Sequence, residues 1–473
     1  MSAHNGTSGP NDESRPESFH PKPSMHSPAT LAVHADDDLN RSADVAPALH
    51  VSTTFRYARD PNNLKPSSDW DIPTYDPSVP SSMGDAHIYS RLTAPSTTRL
   101  ESLLTQLVRA PCLTYSSGLA AFHALIVQTA PKVVAINAGY HGCHGVLAIH
   151  TKLSGLKVVD LLDPASWDAA GLGAGDVVHV ETPLNPTGEA RNIQHFAELA
   201  HARGAWLTVD ATLGPPGLQD PFRHGADFVM HSGTKYVGGH SDMLCGILAT
   251  RNKKAYWGLY TERVFLGSVM GSLEGWLGVR SVRTLELRVR RQSDNATALV
   301  RWLDGLLQSK EDSEEARIVM KTVQRVQHAS LQEDEMSWLA QQMPDGYGPV
   351  FAISMQTPDM ARRFPSKLAL FHHATSLGGV ESLIEWRRMS DATVDGSLLR
   401  VSVGVEAWED LRDDFMSGFR ALAAEADGAG EGETVQAGRE KISAGKAQEA
   451  ESLRAIPPVE EEVTSQWNSN LNF

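Results

Sequence analysis

Between positions 132 and 250, six short apolar segments follow one another, at 132–137, 156–162, 176–182, 205–212, 226–232 and 243–250. Helical patterning fills several of the gaps, most clearly over 193–203. Strands that are apolar along their whole length are covered on both faces, so the pattern predicts an α/β fold built on a mostly parallel sheet. That limits where a ligand can sit, because such sheets bind in the crevice beyond the carboxyl ends of their strands. Tyr140, Asn185, Asp210 and Lys235 each stand just after, or at the end of, one of these segments. The chemistry-bearing residues are therefore expected along one edge of one sheet.

Lys235 is the most unusual of the four. It lies in Phe228-Val-Met-His-Ser232-Gly-Thr234-Lys235-Tyr236-Val-Gly-Gly-His240-Ser-Asp242, an apolar run that empties into a tight polar loop. Burial at such a place lowers the pKa of an amine and makes it a nucleophile. Flanking hydroxyls and glycine N–H groups suit a phosphate dianion. Together they point to a lysine that forms a Schiff base with pyridoxal phosphate (PLP). A lone lysine of this kind would otherwise be a solvated residue on a glycine-rich turn.

Other residues can complete such a site, each with a plainer alternative. Asp210 closes Ala205-Trp-Leu-Thr-Val-Asp210-Ala-Thr212 and can keep a pyridine nitrogen protonated, or serve as a helix cap or turn aspartate. Tyr140 can stack on a ring or line a loop. Ser117-Gly118-Leu119 opens a predicted helix whose N–H groups can receive phosphate, or is an ordinary serine cap. Asn185, in Glu181-Thr-Pro-Leu-Asn185-Pro-Thr-Gly188, can reach the phenolic oxygen of PLP, or the stretch is a turn. Arg400 sits inside the apolar Leu398-Leu-Arg400-Val-Ser-Val-Gly404. A charge there requires a partner, either a substrate carboxylate held bidentately or an internal salt bridge.

The rest of the chain falls into zones. Residues 1–28 are rich in Ser, Pro, His and Gly and are expected to be disordered. Residues 29–85, with prolines throughout 60–83, read as an arm that packs on another surface. A large PLP-binding domain is assigned to 86–285, with helices over 96–110 and 117–129. A smaller C-terminal α/β domain is assigned to 286–424. It is entered by a long helix over 284–307, with strands at 350–355 and 399–405 and helices at 360–370 and 408–424. From Glu425 onward ten acidic residues face four basic ones, and this tail is expected to be mostly disordered, with some helix around 436–454.

Composition narrows the function. The 473 residues carry a net charge of −15, which argues against a nucleic-acid or anionic-membrane surface. No apolar run approaches the ~18 residues needed to span a bilayer, and the N-terminus has neither a signal-peptide core nor an arginine-rich transit pattern. Cys112, Cys143 and Cys245 are widely spaced and odd in number, which favours a reducing, cytoplasmic setting without structural disulfides or a metal site.

Taken in order, these motifs resemble one family. Tyr89-Ser-Arg91…Pro95…Leu100-Glu101, Ser117-Gly118-Leu119-Ala120, Glu181-x-Pro-x-Asn185-Pro-Thr187, Val209-Asp210-x-Thr212, His231-Ser232-x-Thr234-Lys235-Tyr236, Ser376-Leu-Gly-Gly-Val-Glu381-Ser-Leu and Arg400-x-Ser-Val-Gly404-x-Glu406 are similar to the Cys/Met-metabolism (trans-sulfuration) group of fold-type I PLP enzymes. The resemblance runs from about Ala29 to Ala424. It implies Lys235 as the PLP-bonding lysine and proton shuttle. Ser232, Thr234, Gly118 and Leu119 would hold the phosphate, and Asp210 and Thr212 the pyridine side. Tyr140 would stack, Asn185 would contact the cofactor, and Arg400 with Ser376 would hold the substrate carboxylate. Tyr89 and Arg91 would bind the phosphate in a neighbouring subunit, so a homodimer or homotetramer with shared active sites is implied. The implied reaction is a γ-replacement on a small amino acid, as in cystathionine γ-synthase. A cystathionine β- or γ-lyase, a specialised-metabolism relative with another nucleophile, and an inactive scaffold on the same fold are the alternatives. The sequence departs from the family at Ala94, usually Asn, in Tyr140-His141-Gly-Cys143-His144, and in Glu385-Trp386-Arg387-Arg388. These departures leave the cofactor residues intact and fall on the expected substrate side, where His141, Cys143 and His144 either touch substrate or shape the loop.

Overall fold

Valine, isoleucine and leucine on both faces make the central strands, and the order of those strands sets the site. A computed structural model describes residues 18–19, 26–40, 42–64, 66 and 87–426. The expectations of disorder over most of 1–28, of an arm over 67–85, and of a tail with some helix beyond 426 lie outside the described residues.

The first sheet has seven strands: β1 Cys112–Tyr115, β2 Val133–Ile136, β3 Lys157–Asp160, β4 Val177–Glu181, β5 Trp206–Asp210, β6 Phe228–Ser232 and β7 Gly246–Thr250. Their spatial order is β1-β7-β6-β5-β4-β2-β3. Strands β3, β2, β4, β5 and β6 are parallel, while β7 runs antiparallel to both β6 and β1. Strand alternation sends Val133, Ala135, Val178, Val180, Leu207, Val209 and Val229 to one apolar cluster. Val134, Ile136, Val177, Phe228 and Met230 go to the other. Each face is thus a core, as the uninterrupted apolar runs required.

The helices follow from caps and breakers. Pro95–Val108 starts on a proline and buries Leu100, Leu103, Leu104 and Val108. Gly118–Thr129 is capped by Ser117, whose hydroxyl accepts from the Ala120 N–H. The helix expected at 360–370 is shorter, Pro358–Arg363, because Pro365 cannot donate and the next turn tightens to a 3₁₀ helix, Phe364–Lys367. Tyr140 is not followed by a loop. It is the N-cap of a helix, His141–Ser154, in which Cys143 is buried.

A second, five-stranded sheet comprises β8 Val323–Gln327, β9 Val350–Met355, β10 His372–His373, β11 Leu383–Trp386 and β12 Leu398–Ser402, ordered β10-β11-β12-β9-β8. Phe351, Ile353, Ile384, Leu399 and Val401 pack with helices Leu285–Leu307 and Trp408–Ala426. The alternate residues Glu385 and Arg400 are register partners. A third cluster, with Leu213, Tyr236, Leu285, Val289, Val350 and Leu377, fills the seam between the sheets. Among the described residues no helix is long and apolar enough to cross a membrane.

Candidate active site

Parallel pairing puts Glu181 of β4 beside Asp210 of β5, and Asp210 beside Met230 of β6. Both carboxyl groups are buried, at 7% and 5% exposure. Burial pushes the pKa of each above the usual carboxylate range, and the Asp210 charge adds to the rise at Glu181. Glu181 is satisfied by two backbone donors: its Oε2 accepts from the Tyr140 N–H at 2.8 Å and its Oε1 from the Asn185 N–H at 2.6 Å. Asp210 Oδ1 accepts from the Thr212 N–H at 2.9 Å and the Thr212 hydroxyl at 2.6 Å. Thr212 Oγ1 in turn accepts from the Ser232 N–H at 2.8 Å. Side chains therefore tie the end of β5 to β6 and the end of β4 to the segment after β2.

Lys235 lies three residues beyond β6, and its Nζ donates to Ser376 Oγ at 2.7 Å. Burial, and after it the positive charge of Arg400, lowers its pKa from 10.5 to about 8, with Glu385 opposing. The loop carrying Ser376 presses against the lysine backbone. Gly378 has φ +88°, and a Cβ there would stand 2.9 Å from the Lys235 carbonyl carbon. A side chain at this position would be strained and would displace the lysine. Ser376 itself has φ +75°, and its carbonyl accepts from Arg400 Nη2 at 2.7 Å.

Arg400 is 5% exposed and has taken the internal-pair alternative as well as reaching the site. Its Nη2 meets Glu385 Oε2 at 2.6 Å, and its Nη1 donates to Asn185 Oδ1 at 3.1 Å. Arg387, also buried, meets the same Glu385 oxygen at 2.7 Å. Burial lowers the Arg400 pKa to about 10, Glu385 opposing and Arg387 reinforcing the fall.

The expected residues Lys235, Ser376, Arg400, Asn185 and Tyr140 form one continuous path, with Glu181 joining Asn185 to Tyr140. Gly118 adjoins it: a Cβ there would meet Ser232 Cβ at 3.0 Å and Oγ at 3.1 Å, so only glycine lets the first turn of its helix approach the end of β6 this closely. Leu119 follows in the same turn. Thr234 is less free than its motif suggests, since its hydroxyl donates to the Cys245 carbonyl at 3.3 Å and accepts from the Cys245 N–H at 3.0 Å. Tyr89 and Arg91 make their contacts elsewhere. Tyr89 is 42% exposed, and Arg91 donates to the Val264 carbonyl at 3.2 Å. Glu181, Glu385 and Arg387 were not singled out as site residues by their chemistry, although Glu181 opens a quoted motif and the other two lie in a departure from the family pattern.

The residues present fit PLP. An amine of lowered pKa, a buried carboxyl at a strand end, and a glycine-made cradle at a helix N-terminus beside a serine hydroxyl converge on one edge.

A family model described as Cys/Met metabolism PLP-dependent enzyme matches residues 29–420. A cystathionine β-lyase of Lactococcus lactis subsp. cremoris (strain MG1363) is 31% identical over 344 residues, covering 69% of this chain and 86% of the relative. A cystathionine γ-synthase of Escherichia coli (strain K12) is 29% identical over 412 residues, covering 83% and 98%. Among solved structures, cystathionine γ-synthase from Xanthomonas oryzae pv. oryzae in complex with cystathionine superposes with a TM-score of 0.70 at 26% identity, over 85% of this chain and 100% of that one.

Proposed function

We propose a specific reaction for a chain that belongs to the Cys/Met metabolism family of PLP-dependent enzymes and takes pyridoxal 5′-phosphate as its cofactor: γ-replacement on an O-acyl homoserine-type amino acid, as in cystathionine γ-synthase. Bound at this edge, the cofactor supplies an electron sink next to the substrate Cα. We assign Lys235 to hold it, Ser232, Thr234 and the N–H groups of Gly118 and Leu119 to its phosphate, Asp210 steadied by Thr212 to its pyridine nitrogen, Asn185 to its phenolic oxygen and Tyr140 to its ring face. Arg400 takes the substrate carboxylate, with Ser376 between it and Lys235. Tyr89 and Arg91 serve the phosphate in a neighbouring subunit, so the working unit is at least a homodimer, with a homotetramer as the full assembly. The large domain spans 86–285 and the smaller one 286–424.

One observation supports this reading above the rest: the Lys235 amine, with a pKa of about 8, is held by the hydroxyl of Ser376, whose carbonyl also accepts from Arg400. Roughly a tenth of such amines are proton-free at pH 7, about 300 times the fraction of an ordinary lysine. A base so placed can take a proton from Cα and, once it has passed that proton on within the bound cofactor–substrate pair, one from Cβ, which a γ-leaving group requires. It can return them after a nucleophile such as cysteine has added. Three free cysteines, all buried, support a reducing, cytoplasmic setting.

A second reading is a cystathionine β- or γ-lyase, favoured by the names of relatives at 30–31% identity. A specialised-metabolism γ-substitution enzyme with another nucleophile remains a variant of the first, because His141 and His144 open the helix after Tyr140 on the substrate side. Purified protein is offered O-acetyl- and O-succinyl-L-homoserine with cysteine, and separately cystathionine alone, with products identified by mass. Net formation of cystathionine is expected. Release of pyruvate or 2-oxobutanoate from cystathionine, without synthesis, would replace the first reading by the second. No turnover and no borohydride-reducible cofactor adduct would leave an inactive scaffold.

A further inference from the structure

Two guanidinium groups share one carboxylate beside the Lys235 amine. Glu385 Oε2 meets Arg400 Nη2 at 2.6 Å and Arg387 Nη1 at 2.7 Å, and the three side chains are only 3–6% exposed. A buried cation that lacks a counter-charge is costly; within this trio two positive charges meet one negative, with the Asp391 carboxylate also acting on Arg387 and Glu181 on Arg400. The same place is short of hydrogen bonds. Glu385 Oε1, Arg387 Nε and Ser390 Oγ are all buried without a partner at hydrogen-bond distance. Ser390 is nonetheless close enough to Glu385 to help depress its pKa, after the larger effects of burial, which opposes the fall, and of Arg400 and Arg387, which cause it.

The unmatched atoms lie close together in sequence. Arg387 and Ser390 belong to the 3₁₀ turn Arg387–Met389 and its C-cap, directly after β11. They comprise one acceptor and two donors, all on Glu385 and that turn. In a guanidinium, Nε and Nη2 form the side edge that forks onto a carboxylate. Glu385 is held at Arg387 Nη1, off that edge, and Nε is unused. Buried polar groups left unmatched are costly, so an arrangement that moves Glu385 toward Arg387 and Ser390 recovers bonds this one forgoes. Such a move withdraws Glu385 from Arg400 Nη2.

We propose that Glu385 is a displaceable internal carboxylate on Arg400 and that Arg387 is the positioning residue that carries it when a substrate carboxylate arrives. With both arginines present, two positive charges accommodate Glu385 and the substrate carboxylate together. Without Arg387, Glu385 and Arg400 are a closed neutral pair, and the incoming carboxylate meets a like charge at close range. This rests on the assignment of Arg400 to the substrate carboxylate.

The test is a spectral titration of the PLP-loaded enzyme with L-norvaline, an amino acid without a leaving group, and with n-butylamine, which has no carboxylate. Arg387→Leu is expected to raise the apparent Kd for norvaline at least 10-fold and leave that for butylamine within threefold. Arg387→Lys, which keeps the charge, stays within threefold for both. Glu385→Gln added to Arg387→Leu returns norvaline binding to within threefold of the parent. If the leucine variant does not fold, Arg387→Gln with and without Glu385→Gln repeats the comparison. Unchanged norvaline binding in Arg387→Leu, or a loss that Glu385→Gln fails to reverse, overturns the proposal while Arg400 keeps its assignment. Norvaline binding that survives Arg400→Leu removes that assignment, and this proposal with it.

Discussion

The strongest consequence of burying an amine at position 235 is a pH-dependent destabilisation of the cofactor-free protein. In the folded state the Lys235 pKa is about 8, against 10.5 for the free side chain. The folded value is the lower one, so between these two pH values the unfolded chain binds more protons, and stability rises with pH across that window. At pH 7 the two pKa values correspond to a penalty of roughly 3 kcal/mol, and at pH 9.5 to roughly 1.5 kcal/mol, taking 1.36 kcal/mol per unit. Lys235→Met removes the penalty and also the bond to Ser376, which contributes about 1 kcal/mol. The methionine protein is therefore expected to be more stable than the parent by about 2 kcal/mol at pH 7 and nearly equal to it at pH 9.5. Urea unfolding of both cofactor-free proteins, followed by fluorescence at the two pH values, measures the gap. The Ser376 contribution is common to both conditions and cancels in the difference. A gap that stays constant to within about 0.5 kcal/mol, or widens with pH, would show that the amine is not desolvated, and the case for an enlarged proton-free fraction of Lys235 at pH 7 would fail with it.

Two further outcomes are expected. Gly118→Ala drives a methyl group against Ser232, whose Cβ and Oγ lie 3.0 and 3.1 Å from where it would stand; PLP affinity, measured by equilibrium dialysis, should fall about 10-fold, with stability lowered by about 1–3 kcal/mol. Asp36 is fully buried and held by Arg283 at 2.6 and 2.8 Å and by Arg99 at 2.7 Å; Asp36→Ala leaves both arginines without that carboxylate and should lower stability by about 3–5 kcal/mol in urea, a loss under 1 kcal/mol contradicting the view that this ion pair fastens the 28–40 segment to the helices Pro95–Val108 and Ser272–Val282.

How much could be read in advance depended on whether the determining contacts were local. Strands β2, β4, β5 and β6 were legible because parallel strands buried on both faces cannot hide their apolar runs. Their carboxyl ends were legible as a site for the same reason: Asp210 and Lys235 interrupt those runs at one edge. Strand β1 was not read. It is four residues long, wedged between two helices, and its partner β7 is over 130 residues away in sequence. The sequence predicts a loop around Tyr140 where the helix His141–Ser154 stands, since Gly142, Gly145 and three histidines weaken the helical signal. Its formation is decided by packing, with Cys143, Val146 and Leu147 buried beneath it.

The substrate side was the harder half, and the reason is physical. Arg400 announced itself as a charge inside an apolar strand, but nothing in its own segment says which carboxylate answers it. That depends on the register of β11 against β12, which sets Glu385 opposite Arg400 across two antiparallel strands. Register is a property of the pair, and the segment that supplies Glu385 and Arg387 looked only like a departure from the family pattern. The cofactor side is made by one sheet's carboxyl edge, where sequence order and spatial order coincide. The substrate side is made where the polar face of a second sheet meets it through Ser376 and Asn185. Of the three departures from the family pattern, the Glu385–Arg388 segment is the one that lies on this second sheet, beside Arg400.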